Sequence, residues 1–208
     1  MNRRPLDRYD TPAGLCAAVV RALALEPGLR VLEPSVGAGH WVRPLEDAGC
    51  TVFANDLDPE AEGLALVPPE RRWVGPFEQL DPGQRFDLVV MNPPFSAIDA
   101  HLARALELAP RVVLLCRSTW LAAAGRRAAL AQMPPAQVLL PSPRPSFVAG
   151  GGLDSAPALV IEWRVGLSCS TLFRLLDWQL EGGRALSAGQ HDAGDVLVAW
   201  QRAHGGRP

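Results

Sequence analysis

An α/β fold, built on a doubly wound and mostly parallel sheet of about seven strands with an antiparallel pair at one edge, is what this sequence predicts. Three observations carry the prediction. The runs "RVLEP", "TVFAND", "RFDLVVM" and "RVVLLCR" lack polar alternation, as strands buried on both faces do. Segments at helical spacing lie between them, the rhythm of parallel strands joined by crossovers. After residue 135 two more strand candidates follow one another with no helix between, which makes them an antiparallel pair.

Taken in order, "PAGLCAAVVRALALE" over residues 12–26 has apolar residues at helical spacing and stops at Pro27-Gly28. "RVLEP" is the first strand and "HWVRPLEDAG" the helix after it. "TVFAND" is the second strand and "RRWVG" the third, with room for only a short helix in "LDPEAEGLALVPP". "RFDLVVM" is the fourth strand, "AIDAHLARALELA" a helix, "RVVLLCR" the fifth strand and "WLAAAGRRAALAQM" another helix. "AQVLLPS" and "ALVIEW" form the edge pair across the loop "PRPSFVAGGGLDSAP". In the tail, "STLFRLLDWQLE" has helical spacing and "DVLVAW" is a short apolar segment; neither finds a place from sequence alone. With 208 residues, one compact domain is expected, residues 1–165, with 166–208 an extension of unknown role packed on it.

Composition excludes several classes. All 20 basic residues are arginine, a bias that says little about task, and the formal charge of -2 does not make the whole surface a polyanion trap. Behind the arginines of "MNRRPLDRYD" there is no apolar stretch, and no run elsewhere reaches the length of a membrane span, so a cytoplasmic protein without membrane contact is expected. Cys16, Cys50, Cys116 and Cys169 show no paired spacing and read as reduced core thiols. The four histidines are dispersed, and no metal site is expected.

In such a sheet, ligands bind at the carboxyl ends of the strands. The first strand ends in "LEPSVGAGHW", where Gly37 and Gly39 permit a tight turn with backbone amides close to a ligand, or simply a sharp strand-to-helix turn. Glu33 suits a cationic ligand better than a pyrophosphate, since like charges repel. The second strand ends in "ANDLDP", and Asp56 either accepts both hydroxyls of a ribose or, like Asp58, caps the next helix. The fourth strand runs into "MNPPF", where proline halts the ladder. Asn92 and Pro93 offer carbonyl oxygens to a planar amino group, and Phe95 offers a stacking face; the alternative is a Pro-Pro turn with a capping asparagine.

"VLEPSVGAGHW", "NDLDP" and "VVMNPPF", in this order and spacing, resemble the class I S-adenosylmethionine-dependent methyltransferases, whose fold is Rossmann-like. Within them the chain is similar to the amino-methylating branch with an Asn-Pro-Pro-aromatic signature. "RYDTPAGLCAAVV" resembles the segment that adenine-specific DNA methyltransferases place before the glycine loop, and "LLCRSTWLAAAGRRAAL", "PRPSF" and "LDSAPALVIEW" resemble the small phage and prophage members; the likeness covers residues 8 to about 164.

The resemblance implies S-adenosyl-L-methionine as cofactor and methylation of an exocyclic amino group, adenine N(6) in DNA above all. It implies cofactor contacts from Tyr9, Thr11 and Pro12, from Glu33, Ser35, Gly37 and Gly39 at the methionine part, and from Asp56 at the ribose. Leu57 would pack on the adenine, Phe77 likewise, and Asn92, Pro93, Pro94 and Phe95 would hold the target base, Asn92 also bordering the cofactor. Pro76 departs from the family, which usually has an aspartate there for the adenine amine; Glu78 stands two residues on. Arg117, Arg126, Arg127 and Arg144 either contact phosphates or are solvated surface. The rival readings are methylation of a guanine amino group in ribosomal RNA, methylation of a protein glutamine, and a catalytically silent cofactor-binding scaffold or partner subunit.

Overall fold

The computed structural model describes residues 9–81, 83–147, 156–166, 171–179 and 185–186. Among the described residues, strands β1 (Arg30–Glu33), β2 (Thr51–Asp56), β3 (Arg72–Val74), β4 (Leu88–Met91), β5 (Arg111–Arg117), β6 (Gln137–Ser142), β7 (Ala158–Arg164), β8 (Leu172–Asp177) and β9 (Ala185–Leu186) form one sheet. Their order is β3-β2-β1-β4-β5-β7-β6-β8-β9. The first five are mutually parallel, and β7 runs antiparallel to both β5 and β6. The expected mostly parallel sheet and its antiparallel pair are both present.

Helices α1 (Ala13–Leu23), α2 (Val42–Asp47), α3 (Ile98–Leu108), α4 (Ser118–Leu121) and α5 (Arg127–Gln132) cover the faces. Successive strand residues point to opposite sides. Val31, Val52, Val90 and Val113 therefore join one core with α1 and α2, while Leu32, Phe53, Val89, Met91 and Leu114 join a second core with α3. Each such side chain stabilises the fold by roughly 1.5–3 kcal/mol when fully buried, which is why these strands needed no polar alternation. Across β5, β6 and β7 the buried carboxylate of Glu162 accepts hydrogen bonds from Arg111, Gln137 and Arg164. A buried charge so paired fixes the register of three strands, whereas removing one partner would leave it uncompensated.

Two elements differ from expectation. Within "STLFRLLDWQLE", residues 172–177 are not helical but form β8, paired in parallel along β6 from Gln137↔Leu172 to Ser142↔Asp177. The open edge of β6 supplies hydrogen-bond partners that outweigh a modest helical preference, and Leu176 is buried there. The sheet thus continues beyond the antiparallel pair through β8 and β9. The helix expected over "WLAAAGRRAALAQM" is broken into α4, a 3-10 turn at Ala124–Arg126, and α5. Gly125 weakens the helix at the break, and the Arg126 guanidinium is held by both carboxylate oxygens of Asp99, at 3.0 and 2.7 Å. "DVLVAW" lies outside the described residues.

No helix among the described residues is long and apolar enough to cross a membrane. Cys16, Cys50 and Cys116 are buried free thiols; Cys169 lies outside the described residues. Burial pushes the Cys116 thiol up to about 12, so it is inert packing rather than a nucleophile. Between β1 and β4 the chain switches from one face of the sheet to the other, the place where α/β sheets open a crevice at their carboxyl ends.

Candidate functional site

At that switch point lies a cavity of about 540 Å³, walled by the loops that follow β1, β2, β3 and β4 and by residues 9–11. Tyr9, Thr11, Ser35, Gly37, Gly39, Asp56, Leu57 and Phe77 all line it, as do Asn92, Pro93, Pro94 and Phe95. Residues that are far apart in sequence are brought to one wall. Two of the expected cofactor residues, Pro12 and Glu33, do not line it. Pro12 starts α1, where its carbonyl accepts from the amides of Leu15 and Cys16. Glu33 is 1% exposed and lies behind the wall, with Oε1 accepting from the Ser35 amide at 3.3 Å.

Glu33 is thus tied to the turn through one oxygen, while its buried Oε2 has no hydrogen-bond partner among the described residues. Burial raises its carboxyl well above the usual range, the Ser35 amide opposes that rise, and the negative Asp56 adds to it. The sign of the linkage follows. A folded carboxyl with a raised pKa keeps a proton that the unfolded chain releases, so its contribution to stability is complete below the unfolded value of about 4.3 and drains away as pH rises toward the folded one. Glu33→Gln is therefore expected to leave the melting temperature near pH 4 almost unchanged and to raise it relative to wild type at pH 8. Thermal unfolding at both pH values checks this, and parallel curves for the two proteins would contradict it.

The glycine loop is shaped by backbone contact as much as by ligand access. Gly39 has a φ of +79°, and a Cβ added there would stand 2.7 Å from the Gly63 Cα and 2.5 Å from Leu66 Cδ1. The Gly63 amide also donates to the Gly37 carbonyl at 2.9 Å. Nothing in the sequence pattern singled out Gly63, because its partner lies in another loop. Asn55, 3% exposed, is a second hub: its Nδ2 donates to the carbonyls of Pro34 (3.2 Å) and Gly75 (3.1 Å), joining the loops after β1 and β3. Asp56 beside it accepts from the Gly37 amide (2.8 Å) through Oδ2 and from the Asp58 amide (2.9 Å) through Oδ1. A carboxylate has about four lone-pair sites, so both oxygens keep acceptor capacity toward the cavity.

Residues 9–11 are tied across the mouth by four polar contacts. Asp10 accepts from the Ala38 amide at 3.1 Å, the His40 imidazole Nδ1 lies 2.6 Å from the Thr11 carbonyl, and Asn92 Nδ2 donates to the Tyr9 carbonyl (2.7 Å) and to Thr11 Oγ1 (3.0 Å). This pairing assigns the Asn92 amide: its nitrogen faces the N-terminal segment and its Oδ1 remains the acceptor. Phe95 stacks with Tyr9, centroids 5.4 Å apart, and carries the Arg117 guanidinium 4.3 Å over its ring. Arg126 is committed to Asp99 and to the face of Trp120. Arg144 is exposed in the loop after β6, and the side chain of Arg127 lies outside the described residues. Sequence reasoning also missed His101 of α3, which reaches the cavity wall with its imidazole near Ser35 and Glu78. Among the described residues no three His, Cys, Asp or Glu side chains gather as for a metal ion.

No family model matches the chain. The type II methyltransferase M.TthHB8I of Thermus thermophilus is 35% identical over 98 residues, an alignment covering 46% of this chain and 22% of that protein. The chain thus spans about a fifth of the length of the curated relative it matches. Among solved structures, a Pyrococcus horikoshii protein provisionally assigned as an RNA methyltransferase superposes with a TM-score of 0.62 at 19% identity, over 78% of this chain and 92% of that one. The methyltransferase subunit of a type I restriction-modification system from Streptococcus thermophilus superposes at 0.61 and 17% identity, over 93% and 53%. With parallel strands ordered β3-β2-β1-β4-β5, an antiparallel β7 beside them and the cavity at the switch point, the chain has the class I S-adenosylmethionine-dependent methyltransferase fold.

Proposed function

We propose that the protein transfers a methyl group from S-adenosylmethionine to an exocyclic amino group, that of adenine in DNA. The observation that carries this is the fixed Asn92 amide, whose nitrogen is taken by Tyr9 and Thr11 so that an acceptor is presented at the end of β4. The cavity's chemistry fits the cofactor. Asp56 has acceptor capacity for the two hydroxyls of a ribose, Leu57 and Phe77 offer apolar surface to a flat base, and Ser35 and the glycine loop line the same cavity. When bound, the cofactor supplies a methyl group already activated on a sulfonium.

The residues of the chain then have little chemistry to perform. Asn92 Oδ1 and the Pro93 carbonyl accept from the two hydrogens of the target amine, which draws its nitrogen toward a tetrahedral shape and frees the lone pair. Phe95 holds the target ring, and the surplus proton leaves to water after transfer. Most of the acceleration is positional. In duplex DNA the target must first leave the stack, and Phe95 is the surface that receives it. DNA as the polymer is supported by the names of the Thermus and Streptococcus relatives and by the resemblance of residues 8–12 to adenine-specific enzymes.

The test is to supply labelled S-adenosylmethionine with DNA, ribosomal RNA and a protein extract in separate reactions, then to locate the modified atom by mass spectrometry of the digested product. Label confined to adenine N(6) of DNA is the expected result. Label on RNA guanine or on glutamine would redirect the reading, and no label with no cofactor binding would leave a scaffold. A second expectation concerns Asp56. Asp56→Ala removes two charged acceptors worth about 1.5–3 kcal/mol each, so the cofactor dissociation constant should rise at least about tenfold in calorimetry.

A further inference from the structure

His101 of α3 is 8% exposed, yet neither the cofactor nor the target reading gives it work. Its Nε2 lies 3.3 Å from Ser35 Oγ, and its Nδ1 lies 3.0 Å from Glu78 Oε1, though out of line for a well-formed hydrogen bond. The ring packs against Phe77 with centroids 5.2 Å apart. One imidazole therefore bridges the loops after β1 and β3 from a helix that follows β4, and all four side chains line the cavity. We infer that His101 is a positioning residue that orients the Ser35 hydroxyl as an acceptor toward the cavity, so that protonating the ring disfavours the net-cationic S-adenosylmethionine more than its uncharged-sulfur product.

A carboxylate beside Nδ1 favours the ring proton on that nitrogen, which leaves Nε2 bare. Nε2 then accepts the Ser35 hydroxyl proton, and the oxygen lone pairs of Ser35 turn to the cavity. A second ring proton would sit on Nε2 and donate to Ser35 Oγ, so the hydroxyl proton would swing into the cavity and a full positive charge would stand behind it. S-adenosylmethionine carries an ammonium, a carboxylate and a sulfonium and is net positive, whereas S-adenosylhomocysteine keeps only the ammonium and the carboxylate and is net neutral. The added charge repels the first more than the second.

The surroundings favour the neutral ring. Burial lowers the affinity of His101 for a second proton, and the Glu78 carboxylate opposes that in part. From the other elements packed on it, Phe77 brings no charge, and Ser35 is backed by Glu33, whose own carboxyl burial holds protonated to higher pH. On α3 itself, the Arg104 guanidinium one turn away is bound to Glu107 and to the Leu80 carbonyl.

This inference rests on the reading of the cavity as an S-adenosylmethionine site, and the experiment separates the two. Calorimetric dissociation constants for S-adenosylmethionine, S-adenosylhomocysteine and 5′-methylthioadenosine, which lacks the amino-acid end, are measured at pH 7.5 and pH 5.5. Burial holds His101 below the ordinary imidazole value of about 6.5, so wild type is expected to lose only about 2- to 5-fold in affinity for S-adenosylmethionine on acidification, less for S-adenosylhomocysteine, and nothing for 5′-methylthioadenosine. His101→Gln should abolish that difference and bind S-adenosylmethionine about 2- to 10-fold more weakly at pH 7.5, the range of one neutral hydrogen bond. Ser35→Ala should weaken the pH response without abolishing it, because the His101 charge remains while the reoriented hydroxyl is gone, with unchanged circular dichroism confirming the fold of both variants. The same pH response in wild type and His101→Gln overturns the inference while leaving the cofactor reading intact. Binding of none of the three ligands by wild type overturns both.

Discussion

Asn92→Ala is expected to slow methyl transfer by about 10³-fold or more, the scale of losing both positioning and an electrostatic partner of the reacting atom. The cofactor dissociation constant should rise by no more than about tenfold, the scale of the weakened tether to Tyr9 and Thr11. The two effects come from opposite ends of one amide. Oδ1 is the acceptor proposed for the target amine, while Nδ2 anchors the Tyr9 carbonyl and Thr11 Oγ1 over the cavity. Asn92→Asp separates them, because it keeps an oxygen for the target but loses both donors to the N-terminal segment. It should weaken cofactor binding about as much as Asn92→Ala does. Single-turnover transfer measured beside equilibrium binding decides the matter: if Asn92→Ala lost affinity and rate in equal measure, the residue would be a cofactor contact and nothing more.

Gly39→Ala should unfold the protein more readily by roughly 2–5 kcal/mol. That sum takes about 1–2 kcal/mol for an L side chain in the left-handed region and about 1–3 kcal/mol for overpacking. The overpacking part is unavoidable here because the atom in the way is backbone: the new Cβ would stand 2.7 Å from the Gly63 Cα, and only the second contact, Leu66 Cδ1 at 2.5 Å, belongs to a side chain that can turn aside. Denaturant unfolding of the wild type and the variant measures the difference. Gly75→Ala is the control, since its Cβ meets nothing within 4 Å; its φ of +140° still carries a strain cost, so a smaller loss is expected there. Equal losses at the two positions would mean that the Gly39–Gly63 contact contributes nothing.

Much of the site was legible because its residues stand at strand ends, and strands buried on both faces announce themselves as unbroken apolar runs. Once "RVLEP", "TVFAND" and "RFDLVVM" were placed, the residues after each had to meet at the carboxyl edge, and Asp56 and Asn92 do so. That Glu33 is buried and does not line the cavity was not legible, because sequence shows where a residue stands along a strand but not how deeply its side chain is covered. His101 was invisible for a related reason. It lies nine residues beyond Asn92 on α3, and only the angle at which that helix packs brings it to Ser35. The tail was misread because "STLFRLLDWQLE" suits a helix locally, while the partner that makes β8 a strand is the open edge of β6, more than thirty residues away in the chain.

By itself, then, the sequence determined which segments are apolar enough to be buried, where prolines and glycines must end them, and which polar residues stand at those ends. These are local quantities, set by side-chain chemistry and by the periods of helix and strand. The tertiary structure alone decided which hydrogen bonds those polar groups spend on one another. The Asn92 amide is oriented by Tyr9 and Thr11, Asn55 ties two loops together, Gly39 touches Gly63, and His101 spans from Ser35 to Glu78. Each of these depends on distances between residues remote in the chain, and such distances exist only once the two cores have packed against the sheet.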